Sequence, residues 1–165
     1  MTMFRRSLRY LQVLAGCAVV AGVTGCAKAP PPPPPPPPPT VVKLTITANA
    51  DANPDARGRA SPIVLRIYEL KSVAVFNQAD FFSLWDREKD TLGTDLVARD
   101  EVQLRPGESK TIDKAVDADV RLVAAVAAFR DLERAGWRTA VELRLHRVNV
   151  LSVDVGARGV AISPR

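Results

Sequence analysis

Ten consecutive prolines, Pro30–Pro39, limit what this chain can fold into more than any other stretch of its sequence. Proline lacks a backbone N–H and its φ is fixed near −65°, so the run fits neither a helix nor the interior of a sheet. It is expected to form an extended polyproline II rod, which at about 3.1 Å per residue spans roughly 31 Å. The run divides the chain into a short leading segment and a domain of about 125 residues, 40–165, which is long enough to bury one core.

The leading segment has the three parts of a secretory signal, which predicts removal of residues 1–25. Residues 1–9 contain three arginines and no acid, residues 10–22 are almost wholly apolar, and small residues then lead to Cys26. The apolar part is shorter than the roughly 20 residues that a permanent membrane span needs. Val23-Thr24-Gly25-Cys26 resembles the lipobox of bacterial lipoproteins, in which the cysteine thiol receives diacylglycerol and the new amino terminus receives an acyl chain.

Lipid on Cys26 would determine where the mature protein works. Three acyl chains, each contributing about 0.8 kcal/mol per buried methylene, hold a protein on a membrane essentially permanently. Ala27 rather than Asp follows the cysteine, and by the sorting rule of enteric bacteria this predicts the outer membrane, with the domain facing the periplasm. Residues 26–39 then form a lipidated amino terminus and a stiff spacer. The leading segment, residues 1–26, also fits a plain secretory signal or a signal anchor.

Composition and charge argue against several classes of function. Removing residues 1–25 takes away three Arg and no acid, so the net charge falls from +5 to +2 with both signs interspersed, and no nucleic-acid partner is expected. Cys17 leaves with the signal and Cys26 is lipidated, so the mature chain has no disulfide. His146 is the one histidine, which argues against a zinc site of His and Cys ligands, and no Gly-x-Ser-x-Gly motif is present. We expect no catalytic residues, no metal, no cofactor besides the lipid and no small-molecule substrate.

Alternation of apolar and polar residues predicts a mainly β domain. Helical spacing in one stretch predicts a short helix over Gln78–Lys89, capped by Asn77, and a further turn around 92–96. Residues 120–129 are apolar at nearly every position, as in a strand buried on both faces, but Asp119–Ala135 also has the composition of a helix, and the pattern alone does not choose. Seven or eight strands predict an antiparallel β-sandwich with a short helical insertion; their ranges are 41–48, 62–70, 97–104, 110–116, 120–129, 137–145, 149–155 and 156–162.

The connection between the first two predicted strands, Asn49–Ser61, is longer than a hairpin needs. It contains the turn signal Asn53-Pro54-Asp55 and two arginines expected to be exposed, Arg57 and Arg59. Loops of this length more often carry function than packing, so this loop is the candidate functional segment.

The order and spacing of several short stretches over about residues 44–138 resemble the TssJ family, the outer-membrane lipoproteins of the type VI secretion system. The lipobox agrees with this resemblance, whereas the ten-proline spacer departs from it. The stretches that carry it are Pro62–Lys71, Phe76, Ala79–Phe81, Leu84, Leu92-Gly93, Pro106–Glu108, Val123–Asp131 and Trp137-Arg138.

The resemblance implies a transthyretin-like β-sandwich in which residues 120–129 form a strand. It also implies a partner, the periplasmic carboxyl-terminal domain of the inner-membrane protein TssM, and through TssM an indirect link to TssL. In this family the loop that joins the first two strands is implicated in the TssM contact. The partner-binding residues implied in this chain are Asn49, Ala50, Asp51, Asn53, Pro54, Asp55, Arg57, Gly58 and Arg59.

Three classes of function stay open at this point. The leading one is a non-enzymatic assembly protein that tethers the secretion complex to the outer membrane. The second is a periplasm-facing lipoprotein that binds a small apolar ligand within the sandwich, with Phe81, Phe82, Trp85 and Trp137 as the lining, although aromatic residues on one side of a helix are usually core. The third is an envelope hydrolase that uses His146.

Overall fold

Eight strands and three short helices make up the folded part of the chain. The computed structural model describes residues 31–165, and within them residues 31–40 form neither helix nor strand. The predicted signal, residues 1–25, and the predicted lipidation site, Cys26, lie outside the described residues. The elements are β1 Val41–Ala48, β2 Ile63–Leu70, α1 Ala74–Gln78, α2 Phe81–Asp86, α3 Glu88–Leu92, a 3₁₀ turn Gly93–Asp95, β3 Leu96–Leu104, β4 Ser109–Ala115, β5 Leu122–Ala127, a 3₁₀ turn Leu132–Arg134, β6 Arg138–Glu142, β7 Val148–Val155 and β8 Val160–Pro164.

The strands form two four-stranded sheets. Sheet 1 has the order β4-β1-β7-β8, and sheet 2 has the order β3-β2-β5-β6. All neighbouring strands pair antiparallel except β1 and β7, which run parallel with Leu44 opposite Leu151. The predicted β-sandwich with a helical insertion is confirmed, and the β1–β7 pair is its one departure from an antiparallel arrangement. Alternation along one strand does not encode the direction of its neighbour, so sequence pattern could not indicate this pair.

Alternate residues of the strands fill the space between the two sheets. Val42, Leu44 and Ile46 of β1 point inward and are at most 3% exposed, and Leu65 of β2 and Val153 of β7 are fully buried. Each fully buried aliphatic side chain stabilises the fold by about 1.5–3 kcal/mol relative to the exposed side chain. The apolar residues of the alternating pattern are therefore the ones that form this inner core.

A second core lies on the outer face of sheet 2, under the helical insertion. There Tyr68 and Leu70 of β2 pack with Phe81 and Leu84 of α2. Strand β5 lies between the two cores and is buried at every position. This double burial removes alternation from the strand, which is why the pattern leaves helix and strand open there. The strand implied by the resemblance is confirmed over Leu122–Ala127.

The single helix predicted over Gln78–Lys89 is wrong, because the insertion consists of three short helices. Helix α1 ends at Ala79, whose extended backbone (φ −70°, ψ 145°) interrupts the helical path. Asp80, rather than Asn77, caps the next helix. Its carboxylate accepts hydrogen bonds from the Ser83 N–H at 2.9 Å and from the Ser83 hydroxyl at 2.7 Å. A cap inside the predicted helix thus starts a second one.

Two boundaries near the carboxyl end also differ from the predictions. The strand predicted over 137–145 is shorter, and residues 143–147 form the turn that precedes β7. The last strand begins later than predicted, at Val160, because the Gly156 N–H donates to the Gly159 carbonyl at 2.9 Å and closes a hairpin turn. Among the strands it pairs with β7 alone, so it is an edge strand of sheet 1.

Arg66 of β2 fastens the helical insertion to sheet 2. Its side chain is 14% exposed and forms ion pairs at 2.9 Å with Glu88 of α3 and Glu101 of β3. The guanidinium carbon lies 4.2 Å from the centre of the Trp85 ring, and the guanidinium also donates to the Trp85 carbonyl. A planar group with five N–H donors can bond all of these partners at once, which a lysine cannot.

Candidate functional site

The topology brings four connections to one end of the sandwich. Strands β1 and β7 run in one direction and β4 and β8 in the other, so the carboxyl ends of the first pair meet the amino ends of the second. We call this the loop end; its connections are β1–β2 (49–62), β3–β4 (105–108), β5–β6 (128–137) and β7–β8 (156–159). The chain enters the domain at Thr40, at the opposite end, about 26 Å away for a strand of eight residues.

Asn53 holds the β1–β2 loop against its neighbour. Its side chain is buried, with 3% of the residue exposed. The amide NH₂ donates to the Pro62 carbonyl at 2.8 Å, and the amide oxygen accepts from the Arg130 N–H at 2.8 Å. The backbone of Asn53 has φ 50°, a left-handed conformation that asparagine adopts more readily than most residues. One side chain therefore joins the β1–β2 loop to the β5–β6 connection.

Asp55 organises the tip of the same loop. One carboxylate oxygen accepts from the Arg57 N–H at 2.9 Å and the Arg59 N–H at 3.0 Å, while the other accepts from the Arg59 guanidinium at 2.8 Å and 2.7 Å. The backbone N–H and the guanidinium of Arg59 hold the pKa of Asp55 below its usual value. Gly58 takes φ 77°, which closes the turn. The Arg57 side chain is exposed and has no ion pair among residues 31–165.

A concave surface of about 630 Å³ lies at the loop end. Three connections line it, and hydrogen bonds tie them together: besides the Asn53 contacts, the Gly136 N–H donates to the Arg158 carbonyl at 2.9 Å and the Val160 N–H donates to the Gly136 carbonyl at 3.0 Å. The lining residues are Asn53, Pro54, Asp55, Ala56, Gly58, Phe129, Arg130, Asp131, Arg134, Ala157 and Arg158.

The nine residues implied as partner contacts divide into two groups. The first group lines the concave surface and consists of Asn53, Pro54, Asp55 and Gly58. The second is exposed and lies outside the lining; its members are Asn49, Ala50, Asp51, Arg57 and Arg59.

Sequence reasoning missed the arginines that the other connections bring to this surface, namely Arg130, Arg134 and Arg158. Arg130 directly follows the strand predicted over 120–129, and Arg134 lies between two predicted strands. Arg158 lies within the strand predicted over 156–162, where the structure has a turn instead. Only the fold shows that those turns reach the same end of the domain as the β1–β2 loop.

His146 lies at the opposite end from the loop end, in the turn between β6 and β7. Its Nδ1 is 3.0 Å from the Pro38 carbonyl oxygen, and its backbone N–H donates to the Thr40 hydroxyl at 2.8 Å. A carbonyl oxygen only accepts, so Nδ1 carries the proton in this contact. The described contacts of His146 thus fasten the last residues of the proline spacer to the domain.

The four aromatic residues weighed as a ligand lining do not lie between the sheets. Phe81 stacks on Trp85 with ring centres 5.2 Å apart and meets Trp137 edge-on at 5.4 Å. Phe81 and Trp85 pack on the outer face of sheet 2, and Trp137, the last residue of the β5–β6 connection, contacts both this cluster and the inner core. Phe82 meets Phe81 edge-on, with ring centres 5.4 Å apart, but is 62% exposed. The structure therefore supports the favoured interpretation of Phe81 as a core residue. Helix α2 packs against the outside of sheet 2, whereas the apolar-ligand alternative required a lining inside the sandwich.

Metal-binding clusters and membrane-spanning helices are both absent from the part of the chain that the structure describes. No group of three or more His, Cys, Asp or Glu side chains there has an arrangement that could hold a metal ion. Within the same residues no helix combines the length and the apolar composition needed to cross a membrane.

Comparisons with known proteins agree with this architecture. Residues 40–158 match the model of a family described as type VI secretion lipoprotein, VasD, EvfM, TssJ, VC_A0113. The crystal structure of the T6SS lipoprotein TssJ1 from Pseudomonas aeruginosa is similar, with 43% sequence identity and a TM-score of 0.76, over 78% of this chain and 98% of that one. No curated protein matches the sequence.

Two more solved structures are similar at lower identity. Serratia marcescens Lip, described as a membrane bound component of the type VI secretion system, has 26% identity and a TM-score of 0.70 over 77% of this chain and 98% of that one. A chain in the structure described as the T6SS protein TssM C-terminal domain from EAEC has 25% identity and a TM-score of 0.62, over 76% and 98% of the two chains.

Proposed function

This chain belongs to the type VI secretion lipoprotein family, and on that basis we propose that it tethers a type VI secretion membrane complex to the outer membrane. In this proposal its direct partner is the periplasmic carboxyl-terminal domain of TssM, and TssL is reached only through TssM. The protein acts by binding and carries out no chemical step. The observation that carries the proposal is that the two ends of the domain differ. The chain enters the domain at Thr40, at one end, and four connections lie at the other end.

The amino-terminal segment supplies the anchor in this proposal. Diacylglycerol and an acyl chain on Cys26 hold the protein in the outer membrane, facing the periplasm. Residues 27–39 then set the distance between the lipid and the domain. In this proposal the partner meets the loop end, because the chain enters the domain at Thr40, at the opposite end.

The loop end supplies the contact. Hydrogen bonds of Asn53 and Gly136 join its connections, and Asp55 accepts hydrogen bonds that fix the tip of the β1–β2 loop, so little ordering is left to occur on binding. A preorganised surface loses less conformational entropy when a partner binds, which favours affinity. The exposed members of the predicted contact set, such as Asp51 and Arg57, belong to the same loop as four of the lining residues and are available to a partner.

Titration calorimetry tests the proposal with residues 40–165, which include both hydrophobic cores, and the TssM periplasmic domain from the same genome. We expect micromolar or tighter binding. Deleting the β1–β2 loop is a poor test, because Ala52 and Asn53 are at most 3% exposed and the deletion would remove packed residues. Arg57→Glu changes an exposed charge without removing a described contact, and we expect it to weaken binding several-fold.

Arg87→Glu is the matched control, since Arg87 is also exposed but lies on the helical insertion. It should bind as the wild type does. Absence of any binding by the wild-type domain would refute the proposed function. Equal binding by the wild type and Arg57→Glu would keep the function and remove Arg57 from the contact.

A further inference from the structure

Three exposed arginines from two connections surround the concave surface at the loop end. Arg130 and Arg134 come from the β5–β6 connection and Arg158 from the β7–β8 turn. Neither Arg130 nor Arg158 has an ion pair with any residue in 31–165, and both are exposed. Arginines that are left without a carboxylate in the folded domain are free to receive one from elsewhere.

The two acids near these arginines do not pair with Arg130 or Arg158. Asp55 is occupied by the Arg59 guanidinium and by two backbone N–H groups. Asp131 lies 3.7 Å from Arg134, a contact that leaves the Arg134 side chain 71% exposed. The local charge that a ligand meets at this surface is therefore positive, although the mature chain as a whole is nearly neutral.

The backbone around the arginines is fixed. The Arg130 N–H is held by the Asn53 amide oxygen at 2.8 Å, and the Arg158 carbonyl is held by the Gly136 N–H at 2.9 Å. The lining also contains apolar groups, among them Pro54 and Ala157. A volume of about 630 Å³ falls in the roughly 300–1,000 Å³ range of ligand pockets. The surface thus offers fixed cationic groups beside a small apolar area.

We propose that this concave surface binds an acidic peptide segment of the partner protein, with Arg130 and Arg158 receiving its carboxylates. The inference rests on the proposed function, in that the segment belongs to the TssM periplasmic domain. It extends the contact beyond the β1–β2 loop to the β5–β6 and β7–β8 connections. Arginine and carboxylate can pair through two parallel hydrogen bonds, which gives direction as well as charge to the recognition.

The test uses the full lipidated chain in detergent micelles and the TssM periplasmic domain from the same genome. Arg130→Glu and Arg158→Glu should each weaken the affinity about tenfold or more. Arg130→Lys should weaken it less than Arg130→Glu, because the charge remains although the two parallel hydrogen bonds are lost. Raising the salt concentration should weaken wild-type binding more steeply than binding by either Glu variant. Arg147→Glu, an exposed arginine at the opposite end, is the matched control and should bind as the wild type does.

Each outcome separates the inference from the function on which it rests. Wild-type binding that is equally strong in both Glu variants overturns the acidic-segment inference and leaves the proposed function standing. A wild-type chain that does not bind overturns both. If thermal melting shows that a Glu variant is unfolded, Arg130→Gln and Arg158→Gln replace it, since neutral side chains add no repulsion with Asp131; undiminished affinity in these variants also overturns the inference.

Discussion

At the scale of single residues, Asn53 determines whether the loop end keeps its shape. Asn53→Ala removes hydrogen bonds to the Pro62 carbonyl and the Arg130 N–H, and places alanine in a left-handed conformation. We expect the free energy of unfolding to fall by about 2–4 kcal/mol. Urea denaturation measures this loss.

Asn53→Gly is the control for the backbone part of the effect, because glycine takes positive φ without steric cost. It should be less destabilising than Asn53→Ala by about 1 kcal/mol. Equal stability of the wild type and both variants would show that the two hydrogen bonds contribute nothing.

Tyr68 gives the domain a dependence on alkaline pH. Burial raises the pKa of Tyr68 to about 12 from 10.0, although the neighbouring Arg66 acts in the opposite direction. The phenol donates to the Leu84 carbonyl at 2.8 Å. Since the folded state holds the proton more tightly than the unfolded state, this contribution to stability is complete below pH 10 and is lost as the pH rises toward about 12.

Tyrosinate absorbance measures this titration without overlap, because the sequence has two tyrosines and Tyr10 lies before residue 40. Residues 40–165 should show one transition, at a pH clearly above that of a free tyrosine. Between pH 10 and about 12, the free energy of unfolding of Tyr68→Phe should fall less than that of the wild type. A transition at the ordinary tyrosine pKa would contradict the burial of this phenol.

At the scale of elements, the helical insertion offers a matched pair of substitutions on one helix. Leu84 of α2 is fully buried against sheet 2, whereas Phe82 of the same helix is 62% exposed. Leu84→Ala should lower the free energy of unfolding by about 2–5 kcal/mol. Phe82→Ala should lower it by at most about 1 kcal/mol, since it loses only an edge contact with Phe81. Chemical denaturation of both variants checks the pair; similar losses would mean that the buried face of α2 is assigned incorrectly.

The strands were predictable where one face of a strand is buried and the other exposed. β1 shows this most clearly, and its predicted range, 41–48, is also its observed range. The pattern did not identify β5 as a strand, because both of its faces are buried. The helix boundaries were wrong at Asp80, because this residue caps a new helix inside a stretch with continuous helical spacing. The β1–β2 loop could be singled out by its length, but Arg130 and Arg158 join it only through pairings distant in sequence.

At the scale of the whole molecule, the anchor and the folded domain are separable. Pro36–Arg165 form one compact unit that does not include Cys26. Cys26→Ser should therefore leave the circular dichroism and thermal melting of the protein unchanged and abolish its retention in the membrane fraction. Fractionation with the wild type alongside measures this; a Cys26→Ser variant that stays with the outer membrane would show that the anchor lies elsewhere.

The central position of β1 in sheet 1 decides how the domain responds to tension. A pull between a lipid at the amino terminus and a partner at the loop end enters the fold through Thr40, at the start of β1, and acts along that strand. β1 is paired over seven residues with β4 and over eight with β7, so the pull shears both ladders at once instead of peeling residues off one by one. Resistance to forced unfolding depends on the rate of unfolding rather than on the free energy of unfolding alone. In the proposed tethering role, a first strand that is paired on both sides provides resistance to unfolding along the direction of the pull.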